Sequence, residues 1–209
     1  MDIAIECVRR SDDDAACEVR EQVFGREWCL TLPRLNEYNP DQQLTFIGRN
    51  SSDQEPVSVL TVVETTGDLT LHRRLGLSFG ELQTVARYTQ LAVLKPYRGM
   101  NLPVQMILEA RRKFIIPRKI DQTWLLFDAD RANSSALCNL LGFIASGPKF
   151  LTEYGWSRVL IRNEASRQAV LCDGRAESFL KERRRTDVVT TGHLISIAAE
   201  SGACNERYR

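Results

Sequence analysis

One stretch near the middle of the chain constrains its fold more than any other, residues 90–110, which read QLAVLKPYRGMNLPVQMILEA. The apolar run at 91–94 predicts the end of a buried strand, and the polar turn at 95–99 stops that strand. Pro103 is typical of the first turn of a helix, where its missing N–H costs nothing. Because a helix start leaves unpaired N–H donors and partial positive charge, this strand, turn and helix predict an anion-binding site.

Strand and helix patterns alternate along the rest of the chain in the order βα(α)βββαβαβ(β), which predicts a mixed α/β sheet with helices on both faces. The first helix has a capping pattern that begins at Ser11. A later helix over 164–182 is expected to break near Asp173 and Gly174. The strand patterns lie at 3–7, 44–48, 57–63, 85–94, 124–127, 144–152 and 159–162.

Two segments of the chain resemble the GNAT acyltransferase superfamily. Its members carry an apolar strand and a Tyr-Arg-Gly turn, here Tyr97-Arg98-Gly99, before a helix that binds the pyrophosphate and pantetheine of an acyl thioester. Residues 136–143, ALCNLLGF, resemble the family's later helix, which ends in Gly-Phe and leads into a strand. The resemblance implies the GNAT fold: a mixed, mostly antiparallel, twisted central sheet with helices on both faces and a splayed central strand pair.

Composition limits the size of the protein and its partners. With 209 residues and 43% hydrophobic content, the chain has enough apolar surface for one sizeable core. We therefore expect one acyltransferase domain over residues 1–183 and a tail over 184–209 that docks on the core or serves a partner. The 28 basic and 27 acidic residues give no strong field that would attract nucleic acid.

Cysteine and histidine usage predicts neither disulfides nor a metal. The six cysteines are dispersed without a CxxC pair, which is typical of reduced thiols in a cytoplasmic protein. Only His72 and His193 are present, so no metal site is expected. The opening residues lack the apolar core of a signal peptide, and no run approaches the ~20 apolar residues of a membrane-spanning helix. A cytoplasmic location is expected.

The resemblance implies that an amine attacks an acyl thioester held between the splayed strands. In this family, backbone N–H groups at the end of the central strand polarise the thioester carbonyl, and the matching donors are those of Ala92, Val93 or Leu94. Preorganised donors of this kind contribute about 3–4 kcal/mol each. A general base must take the amine proton, and Glu64 and Glu81 are the candidates, with a water chain or plain surface charge as alternatives.

The turn departs from the family's glycine-rich pattern, because two of its small residues are replaced by Asn101 and Pro103. A small residue lets phosphate approach the backbone and proline removes a donor, so the cradle for a full CoA pyrophosphate is weakened. A single phosphodiester tolerates the change better, which favours acyl carrier protein over acyl-CoA as the acyl thioester co-substrate, with no permanently bound cofactor. The implied phosphopantetheine-binding residues are Arg98, Gly99, Met100, Asn101 and Leu102.

The N-terminal helix pattern resembles GNAT enzymes that take long acyl chains from carrier protein. These N-acyl amino acid synthases and acyl-homoserine-lactone synthases share an Arg-x-x-x-Phe pattern, here Arg20 and Phe24, and the aromatic segment that follows, with Trp28, would cover an acyl tunnel. An ordinary amphipathic helix explains the same residues. The lactone synthases carry Glu-x-x-Arg on the central strand, where this chain has Arg87 and Gln90, so the N-acyl amino acid synthases are favoured.

Several further positions allow two interpretations each. Arg87 and Arg98 are alternatives for binding an acceptor carboxylate. Cys138 stands where many acetyl-CoA enzymes place a tyrosine that protonates the leaving thiolate, so it is either a weak acid or a packed small residue. Basic residues at the end of the main helix either steer an acidic carrier protein or stabilise the helix C-terminus. They are Arg111, Arg112, Lys113, Arg118 and Lys119.

Together these inferences predict an acyltransferase of the N-acyl amino acid synthase type. It would move a long-chain fatty acyl group from acyl carrier protein to the α-amine of an amino acid, for example tyrosine, and the fatty product would partition to the membrane. One alternative is an acetyl-CoA-dependent small-molecule N-acetyltransferase. The other is a non-catalytic GNAT-like binding module, since the altered turn and Cys138 also fit a site that has lost activity.

Overall fold

The computed structural model describes residues 2–9, 13–30, 39–66, 79, 83–128, 138–152 and 155–189. Its strands are β1 (Ile3–Val8), β2 (Gln43–Asn50), β3 (Pro56–Glu64), β4 (Val85–Val93), β5 (Gln122–Asp128), β6 (Ile144–Thr152) and β7 (Gly155–Asn163). Its α-helices are α1 (Asp14–Arg20), α2 (Leu102–Ala110) and α3 (Arg167–Val189), and π-helical segments follow α1 over Glu21–Glu27 and α2 over Arg111–Ile115. The chain divides into two units, Met1–Ala176 and Glu177–Arg209. The domain limits 1–183 and 184–209 stay a prediction.

The strands form one seven-stranded sheet in the order β1-β2-β3-β4-β5-β7-β6. Neighbouring strands run antiparallel except β4 and β5, which are parallel. A parallel pair needs a crossover, and α2 with its π-helical extension provides it. The predicted mixed, mostly antiparallel sheet is therefore confirmed. Within the described part of the chain, no helix is long and apolar enough to cross a membrane.

Helices cover both faces of this sheet. Thr61 of β3 points to the α1 face, where Arg20 donates from Nη2 to its hydroxyl at 2.6 Å. Thr123 of β5 points to the opposite face, where its hydroxyl donates to Glu164 at 2.5 Å, and Glu164 pairs with Arg111 at the end of α2. The strand register puts these two threonines on opposite faces. α1 and α2 therefore enclose the centre of the sheet between them.

The first helix begins two residues after the predicted start. Asp13 is its N-cap, and its Oδ1 accepts from the backbone N–H groups of Ala15 and Ala16 at 3.1 and 3.4 Å. The cap predicted at Ser11 is therefore wrong, and Ser11 itself lies outside the described residues. The apolar side of α1 packs against β2, β3 and β4 in a core that contains Val19, Val23, Phe24, Ile47, Val57, Val59, Ala92 and Leu102.

A buried ionic cluster joins α2, β7 and α3 on the second face. Arg111 Nε lies 2.7 Å from Glu164 Oε2, and Arg162 Nη2 lies 2.6 Å from Asp173 Oδ1. Arg111 also pairs with Asp173, which closes the cluster. The predicted helix break near Asp173 and Gly174 is wrong, because α3 continues through both residues and the ion pairs hold it there. A glycine inside a helix costs only about 1 kcal/mol.

The basic residues at the end of α2 do not form a free cationic surface. Arg111 is buried and belongs to the ionic cluster, so it is removed from the predicted steering surface. Lys113 Nζ lies 3.1 Å from Glu109, which also pairs with Arg112 at 3.4 Å. Arg118 Nη1 pairs with Glu64 at 3.1 Å. Much of the positive charge that the sequence places here is neutralised within the fold.

Candidate active site

The two central strands, β4 and β5, separate about halfway along their length. β4 and β5 are paired from Val85–Gln122 to Tyr88–Leu125. Beyond Tyr88, β4 continues to Val93 along β3, and β5 continues to Asp128 along β7. Among the described strands none fills the space between them, so a gap opens toward the ends of both strands. The predicted splay of the central pair is present.

A polar clip holds the closed end of this gap. The Asp121 Oδ2 accepts from the backbone N–H of Thr84 at 2.8 Å and from its hydroxyl at 3.0 Å. In return, the backbone N–H of Asp121 donates to the Thr84 carbonyl at 3.0 Å. These bonds fix the starts of β4 and β5 against each other, just before the paired residues begin. The gap is therefore closed at one end and open at the other.

A β-bulge in β4 lies at the start of the gap. The register places Thr61 opposite Thr89 and Val59 opposite Ala92, so β4 has one residue more than β3 between these pairs. Gln90 within this bulge has a left-handed φ of 53°. A bulge bends its strand and increases the local twist, which turns β4 away from β5. The bulge and the parting of the strands thus occur at the same point.

Strand alternation decides which N–H groups face the gap. The N–H of Leu94 donates to the Val57 carbonyl of β3 at 2.9 Å, so it points away from the gap. Ala92, two residues earlier and opposite Val59, points the same way. The expected donors Leu94 and Ala92 are therefore excluded, whereas the N–H of Val93 faces the gap.

The turn after β4 presents unpaired backbone donors. A 3-10 segment, Lys95–Tyr97, leads to Gly99 with φ 96° and Asn101 with φ 57°, and α2 then begins at Leu102. Met100 donates to the Tyr97 carbonyl at 3.4 Å. Within the described part of the chain, the N–H groups of Gly99, Asn101 and Leu102 make no hydrogen bond. Together with the helix start they form the expected anion site.

Asn101 has a left-handed backbone in this turn, a conformation that glycine adopts most readily. Its φ of 57° and ψ of 23° are left-handed, and asparagine tolerates that region better than most residues. Its carbonyl accepts from Val104 and Gln105 at 3.0 and 3.2 Å, which starts the helix. Its side chain makes no capping bond. Pro103 contributes no N–H, so the cradle is small, as the sequence indicates.

Arg98 lies at the mouth of the gap. Its Nε donates to the Val93 carbonyl at 3.0 Å, and its Nη2 lies 2.6 Å from Glu27 Oε2. Because the carbonyl and the N–H of a strand residue point to the same side, the guanidinium is held on the gap side of β4. Arg98, the cation expected to contact phosphate, therefore lies beside the anion site and is paired with the Glu27 carboxylate.

The N-terminal candidates lie on the α1 side of the site. Phe24 is buried in the core, and its ring meets that of Trp28 edge to face at 5.2 Å between centroids. Trp28 is 37% exposed. Arg20 is buried against Thr61, and burial lowers the pKa of its guanidinium. The fold brings Phe24 and Trp28 together, while the Arg20 side chain lies between α1 and the sheet.

The remaining candidates are spread along the sheet. Arg87 is on the α1 face next to the gap, with its guanidinium carbon 4.9 Å from the Trp124 ring centroid. Glu64 is opposite Ala86, roughly 20 Å along the strands from Val93. It pairs there with Arg118, so the fold does not bring it to the gap. Glu81 lies outside the described residues.

Cys138 is the first described residue of the later helix. Residues 138–140 are helical, and Gly142 with φ 76° ends the turn as predicted. The N–H of Phe143 donates back to the Cys138 carbonyl at 2.9 Å. Cys138 is buried, and burial raises the pKa of its thiol to about 12. Such a thiol holds its proton and favours the packing interpretation over the acid.

Comparison with known proteins identifies the fold. The sequence matches no protein-family model and no curated protein. The structure is similar to a CoA-dependent acyl-homoserine lactone synthase, BjaI, with a TM-score of 0.60 and 14% identity over 84% of this chain and 90% of that chain. It is similar to FeeM, an N-acyl amino acid synthase from uncultured soil microbes, with a TM-score of 0.52 and 12% identity over 78% of this chain and 92% of that chain.

A third solved structure names the superfamily directly. An acetyltransferase of the GNAT family from Staphylococcus aureus Mu50 has a TM-score of 0.55 and 14% identity to this chain. The match covers 78% of this chain and 99% of that chain. Together with the parted central strands, these likenesses show that the chain has the GNAT fold.

Proposed function

We propose that this chain, which has the fold of the GNAT N-acyltransferases, transfers a long-chain fatty acyl group from acyl carrier protein to the α-amine of an amino acid. The observation that carries the proposal is the gap between β4 and β5, with the N–H of Val93 directed into it. A thioester carbonyl in that gap would meet a fixed donor, and its pantetheine arm would lead to the turn before α2. The products would be an N-acyl amino acid and free carrier protein.

The donor assignment rests on the size of the anion site. The N–H groups of Gly99, Asn101 and Leu102 suffice for one phosphate, and Arg98 supplies a cation beside them. A second phosphate would need further donors, and Pro103 has none. Acyl carrier protein carries its acyl group on an arm with one phosphodiester, so it fits this site better than acyl-CoA. Acyl-CoA remains the competing donor.

The chemistry consists of one addition and one elimination. The amine nitrogen attacks the thioester carbon, and the carbonyl oxygen becomes an oxyanion that accepts the Val93 N–H. The C–S bond then breaks, the C=O bond reforms, and the new C–N bond remains as an amide. Starting from the neutral amine, nitrogen loses one proton and sulfur gains one, so the step is balanced in protons; an α-ammonium acceptor first gives one further proton to solvent. A preorganised donor at the oxyanion is worth about 10²–10³-fold in kcat.

Side chains contribute little to this proton balance. Cys138, with a pKa of about 12, is a weaker acid than an ordinary thiol of pKa about 8.5, so it would protonate a leaving thiolate unfavourably. Glu64 is too far from Val93 to take a proton from the amine. We therefore propose that water carries the proton from nitrogen to sulfur. Glu81 stays a candidate base.

The acceptor would approach from the α1 face. Arg87 lies there beside the start of the gap and is partly exposed, so its guanidinium is a suitable partner for the acceptor carboxylate. Arg98 is less suitable, because it stands at the phosphate end. On the same face, Phe24 and Trp28 form an aromatic pair that would cover the acyl chain. Arg20 supports this helix through Thr61.

Mass spectrometry tests the proposal. The purified chain is incubated with palmitoyl-carrier protein, palmitoyl-CoA or acetyl-CoA, each with a mixture of amino acids. A product with the mass of fatty acid plus amino acid minus water, formed fastest with carrier protein, is expected. Acetylated amines alone would replace the proposal with an acetyl-CoA-dependent N-acetyltransferase. No product from a folded protein would favour a non-catalytic binding module.

A further inference from the structure

We propose that Glu27 is a latch on Arg98 that the phosphate of the acyl donor displaces, so that donor binding releases the side chains of Glu27 and Trp28. The inference rests on the proposed function, since it concerns the same anion site. It adds an order to the reaction: the phosphate is recognised first, and the cover of the acyl chain moves second. Glu27 is a positioning residue in this scheme and touches no reacting atom.

The latch is visible in the two bonds that Arg98 makes. Its Nη2 lies 2.6 Å from Glu27 Oε2, and its Nε donates to the Val93 carbonyl at 3.0 Å. The side chains of Arg98 and Glu27 are 40% and 26% exposed, so the pair is reachable from solvent. The guanidinium therefore links the end of the first helical segment to the gap-facing edge of β4.

Donor binding would compete with both of these bonds. A phosphate on the N–H groups of Gly99, Asn101 and Leu102 would lie beside Arg98, and a guanidinium is able to bind phosphate bidentately. The Glu27 carboxylate would then face a second negative charge at the same guanidinium. A pantetheine amide lying along β4 would also pair with the free strand edge, where Arg98 now occupies the Val93 carbonyl. Arg98 would then give up its bonds to Glu27 and to the Val93 carbonyl and bind the phosphate instead.

The side chains of Glu27 and Trp28 are suited to move. Glu27 is the last residue of the π-helical segment Glu21–Glu27, a rare geometry that frequently occurs at functional sites. Trp28 follows directly and donates to the Val23 carbonyl at 3.2 Å. Its ring leans on Phe24 and is partly exposed. The N–H of Leu30 donates to the Phe24 carbonyl at 2.8 Å, so the backbone on both sides of Trp28 stays tied to the helix when the Glu27–Arg98 bond is lost. The movement would therefore be a shift of the Glu27 and Trp28 side chains over an intact core.

Calorimetry with 4′-phosphopantetheine and with CoA tests the latch. Because E27Q removes the competing charge, we expect it to bind both ligands about 5-fold more tightly than the wild type, within the range of an exposed ion pair. E6Q is the matched control: Glu6 pairs with Arg49 at 2.5 Å on the outer strands, and its substitution should leave ligand affinity unchanged. In an R98M background, the gain from E27Q should disappear.

Trp28 fluorescence gives a second readout that ordinary destabilisation would not reproduce. Titration with 4′-phosphopantetheine should change the emission of the wild type, and W28F should lose that change. E27Q without ligand should already show the Trp28 emission that the wild type shows only with ligand bound. Near-ultraviolet circular dichroism checks that each variant is folded.

The possible outcomes separate the latch from the function. Equal ligand affinity of E27Q and wild type, or a gain that persists in R98M, overturns the latch while acyl transfer still stands. No binding of 4′-phosphopantetheine or CoA by either protein overturns the donor site and the latch together. Tighter binding by E27Q, dependent on Arg98 and accompanied by the Trp28 change, supports the latch.

Discussion

Val93 offers the sharpest test at the scale of single residues. Val93→Pro removes a backbone N–H from the gap side of β4 and spares the ladder to β3, in which this N–H takes no part. We expect kcat for acyl transfer to fall about 10²–10³-fold, with little change in the melting temperature. Steady-state kinetics and thermal unfolding measure the two effects.

Two variants control this substitution. Val93→Ala keeps the N–H and should retain most of the activity. Leu94→Pro removes the N–H that donates to Val57 at 2.9 Å, so it should lower the melting temperature as well as the activity. If Val93→Pro keeps wild-type kcat while remaining folded, the oxyanion is not held at this residue.

Cys138 gives a prediction for alkaline pH. Burial raises the pKa of its thiol from 9.0 to about 12, so the folded protein holds this proton more tightly than the unfolded chain. The stability it contributes is complete below pH 9 and is lost as pH rises toward 12. Between about pH 8 and about pH 10.5, the wild type should lose about 2 kcal/mol more than Cys138→Ala. Urea unfolding of both proteins at the two pH values measures this difference.

The comparison with Cys138→Ala isolates one thiol from other groups that titrate in the same range. Burial also raises the pKa of Tyr88, and that contribution is common to both proteins. An equal loss of stability in the two proteins would contradict the assignment to Cys138. Acyl transfer by Cys138→Ala should stay within about 3-fold of the wild type, because the buried thiol is not expected to act as an acid.

Single residues also show which features of the site sequence patterns do not predict. They located the end of β4, and they could not choose among Ala92, Val93 and Leu94, because a backbone donor has no side-chain signature. The choice depends on the register with β3 and on the bulge at Gln90, which are long-range properties of the sheet. The distance of Glu64 from the gap is of the same kind, since it follows from pairing rather than from residue type.

At the scale of secondary-structure elements, the buried ionic cluster fixes the end of α2 to β7 and α3. Glu164→Gln would leave Arg111 and Arg162 with one carboxylate, that of Asp173, in a buried site. Removing one partner of a buried pair costs about 3–5 kcal/mol. We expect a loss of that size in the free energy of unfolding, measured by urea denaturation.

The control for this substitution is an exposed pair on the same helix system. Glu109→Gln breaks the contacts with Arg112 and Lys113, and surface pairs of this kind contribute about 0.5 kcal/mol or less. A loss of similar size from Glu164→Gln would mean that the cluster adds little to stability.

Element prediction succeeded where one residue pattern determines one element. The strand at 85–94 and the turn after it were located from apolar runs and turn residues, and the helix start differs from Pro103 by one residue. The prediction failed at Gly174, because ion pairs of the neighbouring Asp173 outweigh the local cost of glycine in a helix. It failed at Ser11 because Asp13, two residues later, is the N-cap.

At the scale of the whole molecule, the order of strands and helices predicted the mixed sheet, and the resemblance at residues 90–110 and 136–143 predicted the GNAT fold. The alternation predicted a mixed sheet with helices on both faces, and the structural likenesses share that arrangement at 12% and 14% identity. At identity this low, the likenesses extend to the fold and not to the site. For that reason, the donor and the acceptor are proposals that need the experiments above.

The pairing of β4 with β5 also has a mechanical consequence. Among the described strands, the half-sheets β1–β4 and β5–β7 are joined along one short seam, from Val85–Gln122 to Tyr88–Leu125. A ligand that enters the open end would load this seam through the unpaired lengths of both strands, so the two half-sheets would rotate about it. A small rotation there would become a larger opening at the mouth, and each half-sheet would keep its own ladder intact.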